Sequence, residues 1–423
     1  MNVRQQQMRT FYVVVALFTG VDMGLMIGLF WSSLQITGSP LTLGLVLCLS
    51  VLLPFGVQRL ARHCGLEVKP GFRCMLMVRA VGFLIVLSGA LAGSFHVLYG
   101  FVLMILLIGI LGFFTTSTLE AVNTRFILAK LASTPSAARW MQTSIQLGAF
   151  VGEALGGIVL EWAGIDHFIE LFCTTACAAA LAVLFSPLGK PQLEWAVTEV
   201  TLKSDEGALD TNQNRHLLHP RCFGLGMIGF HIGTFNTLTP VIFQMLKHWS
   251  PADFGIASAV AGVGAFVAAV RPTPKLPDSV LPLSILLMDA VLVYSGSIVM
   301  STGACFLLGY SINHLRIQLR MQLMDLARTP TDADHIASFS AVYYLLMQAA
   351  APLILTALIA EHVFGRQSAP EVFMLVAVVL QMSILVIPRL ANPHAEPGGT
   401  RVTEDPSRTP TLPLPAPPAT KPR

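Results

Sequence analysis

The residues VLYGFVLMILLIGILGFF, which run from Val97 to Phe114, decide the class of this protein. They contain no Asp, Glu, Lys or Arg, and about 20 apolar residues in a helix are long enough to cross a bilayer. Across all 423 residues, 54% are hydrophobic and only 12% are charged, with a mean hydropathy of +0.68. A soluble domain carries about 25% charged residues. The composition therefore predicts an all-α membrane protein.

Apolar runs separated by turn residues predict twelve transmembrane helices. We expect them near 10–35, 41–58, 74–93, 97–119, 140–162, 167–186, 222–246, 253–270, 280–298, 301–323, 336–360 and 370–388. The first run is too long and too poorly ended for a cleaved signal sequence, so we expect it to remain as the first membrane helix.

Basic residues predict which side of the membrane each connection occupies, because cytoplasmic loops are enriched in Lys and Arg. Only Lys247 and Arg366 fall on one side of the predicted spans. The other side holds Arg59, Arg62, Lys69, Arg73, Arg125, Lys130, Arg139, Lys190, Lys203, Arg215, Arg221, Arg271, Lys275 and Arg328. We therefore expect a multi-pass protein of the inner (cytoplasmic) membrane with both termini in the cytoplasm.

The chain divides into two halves joined by a polar segment. We predict a six-helix bundle over 1–188, a cytoplasmic linker over 189–220 and a second six-helix bundle over 221–391. Residues 392–423 are rich in Pro and have no apolar period, which predicts a disordered cytoplasmic tail.

An internal repeat supports two related halves. The sequence Gly20-Val21-Asp22-Met23-Gly24 in the first span corresponds to Gly229-Phe230-His231-Ile232-Gly233 in the seventh. The loop LASTPSAA at 131–138 corresponds to LARTPTDA at 326–333, and the same register pairs Arg125 with Arg320. Both arginines end their helices at the cytoplasmic side, so we consider them candidate cytoplasmic gate residues.

Two six-helix halves, a charged central linker and cytoplasmic termini resemble the major facilitator superfamily. In the fifth span, the run from Gly148 to Gly157 (GAFVGEALGG) is similar to the antiporter motif G-x-x-x-G-P-x-x-G-G of its exporters, with Glu153 in place of Pro. The basic turn after the second span keeps Gly56, Arg59, Arg62 and Gly65 but lacks the usual Asp. The resemblance implies alternating access and solute export.

The glycines of this motif, Gly148, Gly152, Gly156 and Gly157, predict a close helix contact, because a residue without a side chain lets a neighbouring helix approach.

Ionisable groups inside the bilayer are costly and are candidates for function. Asp22, Glu153 and His231 are our candidates for proton coupling or substrate binding, and each could instead be a structural hydrogen-bonding residue. The sharpest hypothesis is that Asp22 and His231, at equivalent positions of the repeat, act as a pair across the pseudo-twofold axis that relates the two halves. We interpret Arg79 as structural, reaching toward water from near a helix end or pairing with Glu120, and we assign Asp289 no role.

Polar residues without charge suggest a substrate cavity. Gln146, Asn236 and Asn313 are candidates to line it, and each could equally hold helices together.

The sequence predicts a secondary transporter, most simply a proton-coupled exporter of a drug, a metabolite or a siderophore-like product, that works as a monomer. A proton-coupled importer of a small polar solute is the alternative, and a membrane-embedded enzyme is a remote one. We expect no cofactor and no metal, since the seven cysteines include no C-x-x-C pair. The basic residues form no surface suited to nucleic acid.

Overall fold

The computed structural model describes residues 3–63, 71–128, 131–186, 188, 215–271, 279–324, 330–361 and 363–385. Every regular element in these ranges is helical. The described α-helices are α1 Val3–Thr37, α2 Pro40–His63, α3 Phe72–Leu91, α4 Leu98–Leu128, α5 Thr134–Phe185, α6 Arg215–Val241, α7 Pro251–Val270, α8 Val280–Tyr294, α9 Ile298–Met324, α10 Pro330–Leu358 and α11 Ala369–Leu385.

Three short elements accompany them. The 3-10 turns Ser94–His96 and Arg366–Ser368 precede α4 and α11, and a π-helical turn, Ile242–Leu246, extends α6.

Helix α5 contains both the predicted fifth and sixth spans. Gly164 interrupts it with φ 74° and ψ 172°, a backbone conformation that is open to glycine and nearly closed to other residues. The helix therefore has two arms, 134–163 and 165–185, and the predicted loop between the two spans is this one glycine.

Eight described helices are long and apolar enough to cross a membrane. They correspond to α1, α3, α4, α5, α7, α9, α10 and α11, while α2 and α8 contain shorter apolar helical stretches. Helix α6 begins at Arg215, so the last residues of the predicted linker are helical. The rest of that linker, residues 189–214, and the predicted tail at 392–423 lie outside the described residues.

Helices that cross a bilayer in succession start alternately at one face and at the other, which defines two faces of the protein. We call the face at which α1 begins the basic face, because Arg73, Arg125, Arg139, Arg221 and Arg271 lie there. We call the other face the far face. Its described ionisable residues are mostly acidic: Glu161, Asp166, Glu170, Asp253, Glu361 and Glu371 accompany His96, His167, Lys247, His248 and Arg366.

Helix α1 packs on α5 in the N-terminal half (α1 to α5), and α6 packs on α10 in the C-terminal half (α6 to α11). These two contacts use repeat-related glycines. A Cβ at Gly20 would lie 3.2 Å from the Gly148 carbonyl oxygen, and one at Gly229 would lie 2.6 Å from the Tyr344 carbonyl oxygen. The second glycine of each repeat, Gly24 or Gly233, makes the corresponding contact one turn later. The sequence repeat is therefore also a repeat of packing.

Two seams join the halves, one between α2 and α10 and one between α5 and α7. At the first seam Gly44 abuts Thr356 and the carbonyl oxygen of Pro352, near the far-face ends of both helices. At the second seam Gly157 abuts Pro251 and Gly255.

Candidate functional site

Asp22 is bound to Arg79 inside the N-terminal half. The guanidinium of Arg79, on α3, donates to both carboxylate oxygens of Asp22, on α1, at 2.6 and 3.0 Å. It also donates to Thr115 Oγ1 on α4 at 3.1 Å and to the Phe18 carbonyl oxygen at 3.4 Å. Two ring faces, those of Phe18 and Phe83, lie within 4.8 Å of the guanidinium carbon. The pair therefore ties together three helices.

This geometry corrects our interpretation of Arg79. Its side chain is 1% exposed, so it does not reach toward water, and its carboxylate partner is Asp22 rather than Glu120. In the sequence Arg79 lies close to a helix end, but the packing of the neighbouring helices determines whether its guanidinium reaches solvent. Asp22 retains 16% of its side-chain exposure.

The C-terminal half contains a second acid–base pair in the corresponding place. His231 Nε2, on α6, lies 2.7 Å from Asp289 Oδ2, on α8, and both side chains are fully buried. The Phe373 ring of α11 meets the imidazole edge to face at 5.9 Å. His231 Nδ1 and Asp289 Oδ1 have no hydrogen-bond partner within the described residues. Asp289, to which the sequence assigned no role, is thus the partner of a candidate residue.

The two pairs are related by the internal repeat but reversed in chemistry. The first helix of the N-terminal half supplies the acid and its third helix the base, whereas α6 supplies the base and α8 the acid. Asp22 and His231 do not pair with each other: each is held by a residue of its own half. The structure therefore shows no direct contact between Asp22 and His231, and their joint role in proton coupling stays a prediction.

Glu153 differs from both pairs, because no described residue forms a hydrogen bond or ion pair with its half-buried carboxyl group. Its direction follows from the contacts of α5. Gly148, Gly152 and Gly156 face α1, and Phe150 and Gly157 face α7. With 3.6 residues per turn, Glu153 lies, around the axis of α5, about 100° from the direction that faces α1 and about 50° from the direction that faces α7. Glu153 therefore faces the space between the halves.

The same stripe of α5 carries Gln142 and Gln146, which extend it from Glu153 toward the basic face over about 16 Å. Both are half-buried, and neither has a hydrogen-bond partner among the described residues. The opposite side of the helix is apolar and exposed, as lipid requires, at Leu147, Val151, Leu155 and Ile158. The polar stripe thus lines the interior.

The glycine motif of α5 lies in close contacts on two sides. A Cβ at Gly148, Gly152 or Gly156 would meet the backbone of Ala16, Gly20 or Gly24 in α1. A Cβ at Gly157 would meet Pro251 and Gly255 in α7, across the boundary between the halves.

The other predicted site residues are dispersed. Asn313 is buried in the contact of α9 with α7, where its Nδ2 donates to the Ala265 carbonyl oxygen at 2.7 Å and its Oδ1 accepts from Arg316 at 2.7 Å. Asn236, on α6, is half-buried. Arg125, half-buried, lies in the last turn of α4, and Arg320, exposed, lies four residues before the end of α9, both toward the basic face.

The apolar core shows at which face the described residues join the halves. One continuous cluster of buried apolar residues contains residues of both halves, and it includes the far-face contact between Trp31 of α1 and Phe254 of α7. At the basic face two further clusters each belong to a single half: one contains Phe11, Phe72 and Phe126, and the other contains Cys222 and Leu323. Within the described ranges no apolar cluster bridges the halves there. Among the described residues, the apolar contacts that join the halves therefore lie toward the far face, and the polar stripe of α5 faces the space between the halves.

Solved structures share this architecture. A bacterial homolog to the human lysosomal transporter Spinster, in an inward-facing and unoccupied conformation, is similar over 92% of this chain and 97% of its own, with a TM-score of 0.63 and 12% identity. The nucleoside transporter NupG is similar over 92% of this chain and 99% of its own, with a TM-score of 0.62 and 11% identity. The chain shares the fold of these two transporters. No protein-family model matches the sequence, and no curated protein matches it either.

The eight long apolar helices and this fold together indicate a multi-pass membrane protein. Sequence reasoning singled out Asp22, Glu153 and His231, whose function stays a prediction, but it did not identify Arg79 and Asp289 as the partners of Asp22 and His231. The available signal was the repeat itself: Asp22 and Arg79 are 57 residues apart, and His231 and Asp289 are 58 apart.

Proposed function

We propose that this protein is a secondary transporter that moves a small solute across the inner membrane by alternating access, as a monomer of twelve spans in two six-helix bundles. The twelve comprise the two arms of α5 and the ten other helices. The basic face is cytoplasmic in this proposal, by the positive-inside rule. The proposal places a cleft between the halves, and the observations that carry it are the apolar contacts that join the repeat-related halves at the far face and the unengaged polar stripe of α5 between them.

Glu153 is the proton-coupling residue of this proposal. An uncompensated charge in a partly dry cleft is costly, so the carboxyl group favours its protonated form until a solute or water compensates it. Asp22 is less suited, because Arg79 already neutralises it. His231 is less suited too, because it is enclosed with Asp289.

Export is the proposed direction, supported by the glycine contact of α5 with α1 and α7, which is the feature shared with exporter motifs. Import of a small polar solute is the second candidate, since the nucleoside transporter NupG has the same fold. A drug, a metabolite or a siderophore-like product remains the proposed cargo.

Transport in proteoliposomes tests the coupling. Purified protein with an imposed pH gradient is assayed with ethidium and with uridine as probes, before and after a protonophore. We expect a gradient-driven flux that the protonophore abolishes, and we expect Glu153→Gln to lose the dependence on the gradient. Asp166→Asn, which removes an exposed carboxylate of α5 outside the stripe, is the matched control and retains it. A flux of either probe by Glu153→Gln that still follows the pH gradient contradicts this role.

A further inference from the structure

The far-face end of the α5–α7 seam is built from backbone against backbone. A Cβ at Gly157 would lie 2.9 Å from the Gly255 Cα, and a Cβ at Gly255 would lie 2.6 Å from the Glu153 carbonyl oxygen. Glu153 therefore contributes its main chain to the seam while its carboxyl group faces the cleft. Whatever separates the halves at the far face must part these two helices.

Glu161 reaches across the same seam to the start of α7. Pro251 opens this helix and has no N–H, and Asp253 N donates to Ser250 Oγ at 3.2 Å within a capping box. The remaining first-turn donor, Ala252 N, donates to Glu161 Oε2 at 3.1 Å. A carboxylate of the N-terminal half thus completes the cap of a helix in the C-terminal half, where the helix dipole favours negative charge.

Aromatic rings form a second contact across the halves. The Trp31 indole of α1 stacks on the Phe254 ring of α7, with centroids 5.9 Å apart and planes at 25°. Phe254 in turn meets Phe243 edge to face at 6.3 Å, and Phe243 meets Trp249 at 4.6 Å. Lys247 ends this chain with its ammonium 4.4 Å from the Trp249 ring.

The ring contact contains an unsatisfied donor. Trp31 is 2% exposed, and its Nε1 has no hydrogen-bond partner within the described residues. A buried donor without an acceptor destabilises the state that buries it. The same contact that closes the far face therefore also favours its opening, since an opened seam gives the indole N–H access to water.

We propose that Glu161 and Trp31 set the balance of a far-face gate, with the Glu161 carboxylate holding the closed state and the unsatisfied Trp31 indole opposing it. This inference rests on the proposed alternating access. It adds a prediction that does not depend on coupling: the two residues shift the same equilibrium in opposite directions.

Hydrogen exchange of the full chain in lipid nanodiscs, followed by mass spectrometry, tests the gate without any transported solute. The decisive readout is the other seam, at 40–46 and 352–358, where Gly44 contacts Thr356 far from Glu161 in sequence. For Glu161→Gln we expect exchange to rise about two- to fivefold at both seams, the scale of one charge at a helix end. For Trp31→Phe we expect exchange to fall by about fivefold or more at both.

Asp166→Asn is the matched control. Asp166 is another exposed far-face carboxylate of α5, but its partner, His96 at 3.0 Å, belongs to the same half. It should leave exchange at both seams unchanged.

Two results would contradict the proposed gate. A rise confined to 250–254 in Glu161→Gln would mean that the carboxylate caps α7 locally and gates nothing. Unchanged or faster exchange in Trp31→Phe would overturn the opposing role of the indole. Since no flux is measured, these failures are distinct from a failure of proton coupling at Glu153.

Discussion

At the scale of single residues, each titratable candidate on the first helix of a half is held by a residue on the third helix. The sequence could identify Asp22 and His231, because ionisable groups stand out in apolar spans and the glycines around them repeat. It could not identify Arg79 and Asp289 as partners, because a contact across 57 or 58 residues depends on how helices pack. Burial distinguishes the two pairs: the Asp22 carboxylate is partly exposed, whereas His231 and Asp289 are both fully buried.

The Asp22–Arg79 pair predicts a stability effect that a transport assay alone would misread. Asp22→Asn leaves the buried guanidinium without its counter-charge, which costs about 3–5 kcal/mol when one partner of a buried pair is removed. We expect a marked fall in the thermal unfolding temperature of the purified protein, measured by intrinsic fluorescence. Asp22→Asn combined with Arg79→Gln should recover much of the loss. Wild-type stability of the single variant would contradict this account.

At the scale of helices, the sequence predicted where the helices lie, although several extend five to nine residues beyond the predicted spans, and it misjudged α5. It separated residues 140–162 from 167–186 by a loop, and the structure has a single interruption at Gly164. Apolar periodicity gives helix type and approximate length, but it does not distinguish a loop from a kink at one glycine with positive φ. The antiporter-like run of α5 predicted a close contact, and only the structure could show that the contact has two sides.

The contact of α5 with α1 predicts a difference between two glycines. In Gly152→Ala the new methyl group would collide with the Gly20 backbone, which cannot rotate away. We expect lower stability by about 1–3 kcal/mol, the usual range for overpacking. Gly303→Ala in α9 is the matched control, because nothing lies within 4 Å of its Cβ position. It should be neutral or stabilising by up to about 1 kcal/mol. Equal thermal unfolding temperatures for both variants would refute the close contact.

At the scale of the whole molecule, the repeat in the sequence predicted two related halves, and the paired glycine contacts repeat with it. The face to which the proposed cleft opens could not be predicted from the sequence, because it depends on which apolar groups of different halves touch. Those contacts join residues far apart in the chain, such as Trp31 with Phe254.

The distribution of charge predicts the orientation of the chain in the membrane. Arginines at the ends of α4, α7 and α9 and at the start of α3 lie on one face, and cytoplasmic loops retain such residues. Reporter fusions ending at residues 214 and 385 should fluoresce as cytoplasmic proteins, while alkaline phosphatase fused after residues 96 and 248 should be active. The reverse pattern would invert the proposed orientation. Ends at 214 and 385 on opposite faces would instead require an odd number of crossings between them, which is incompatible with a C-terminal half of six spans.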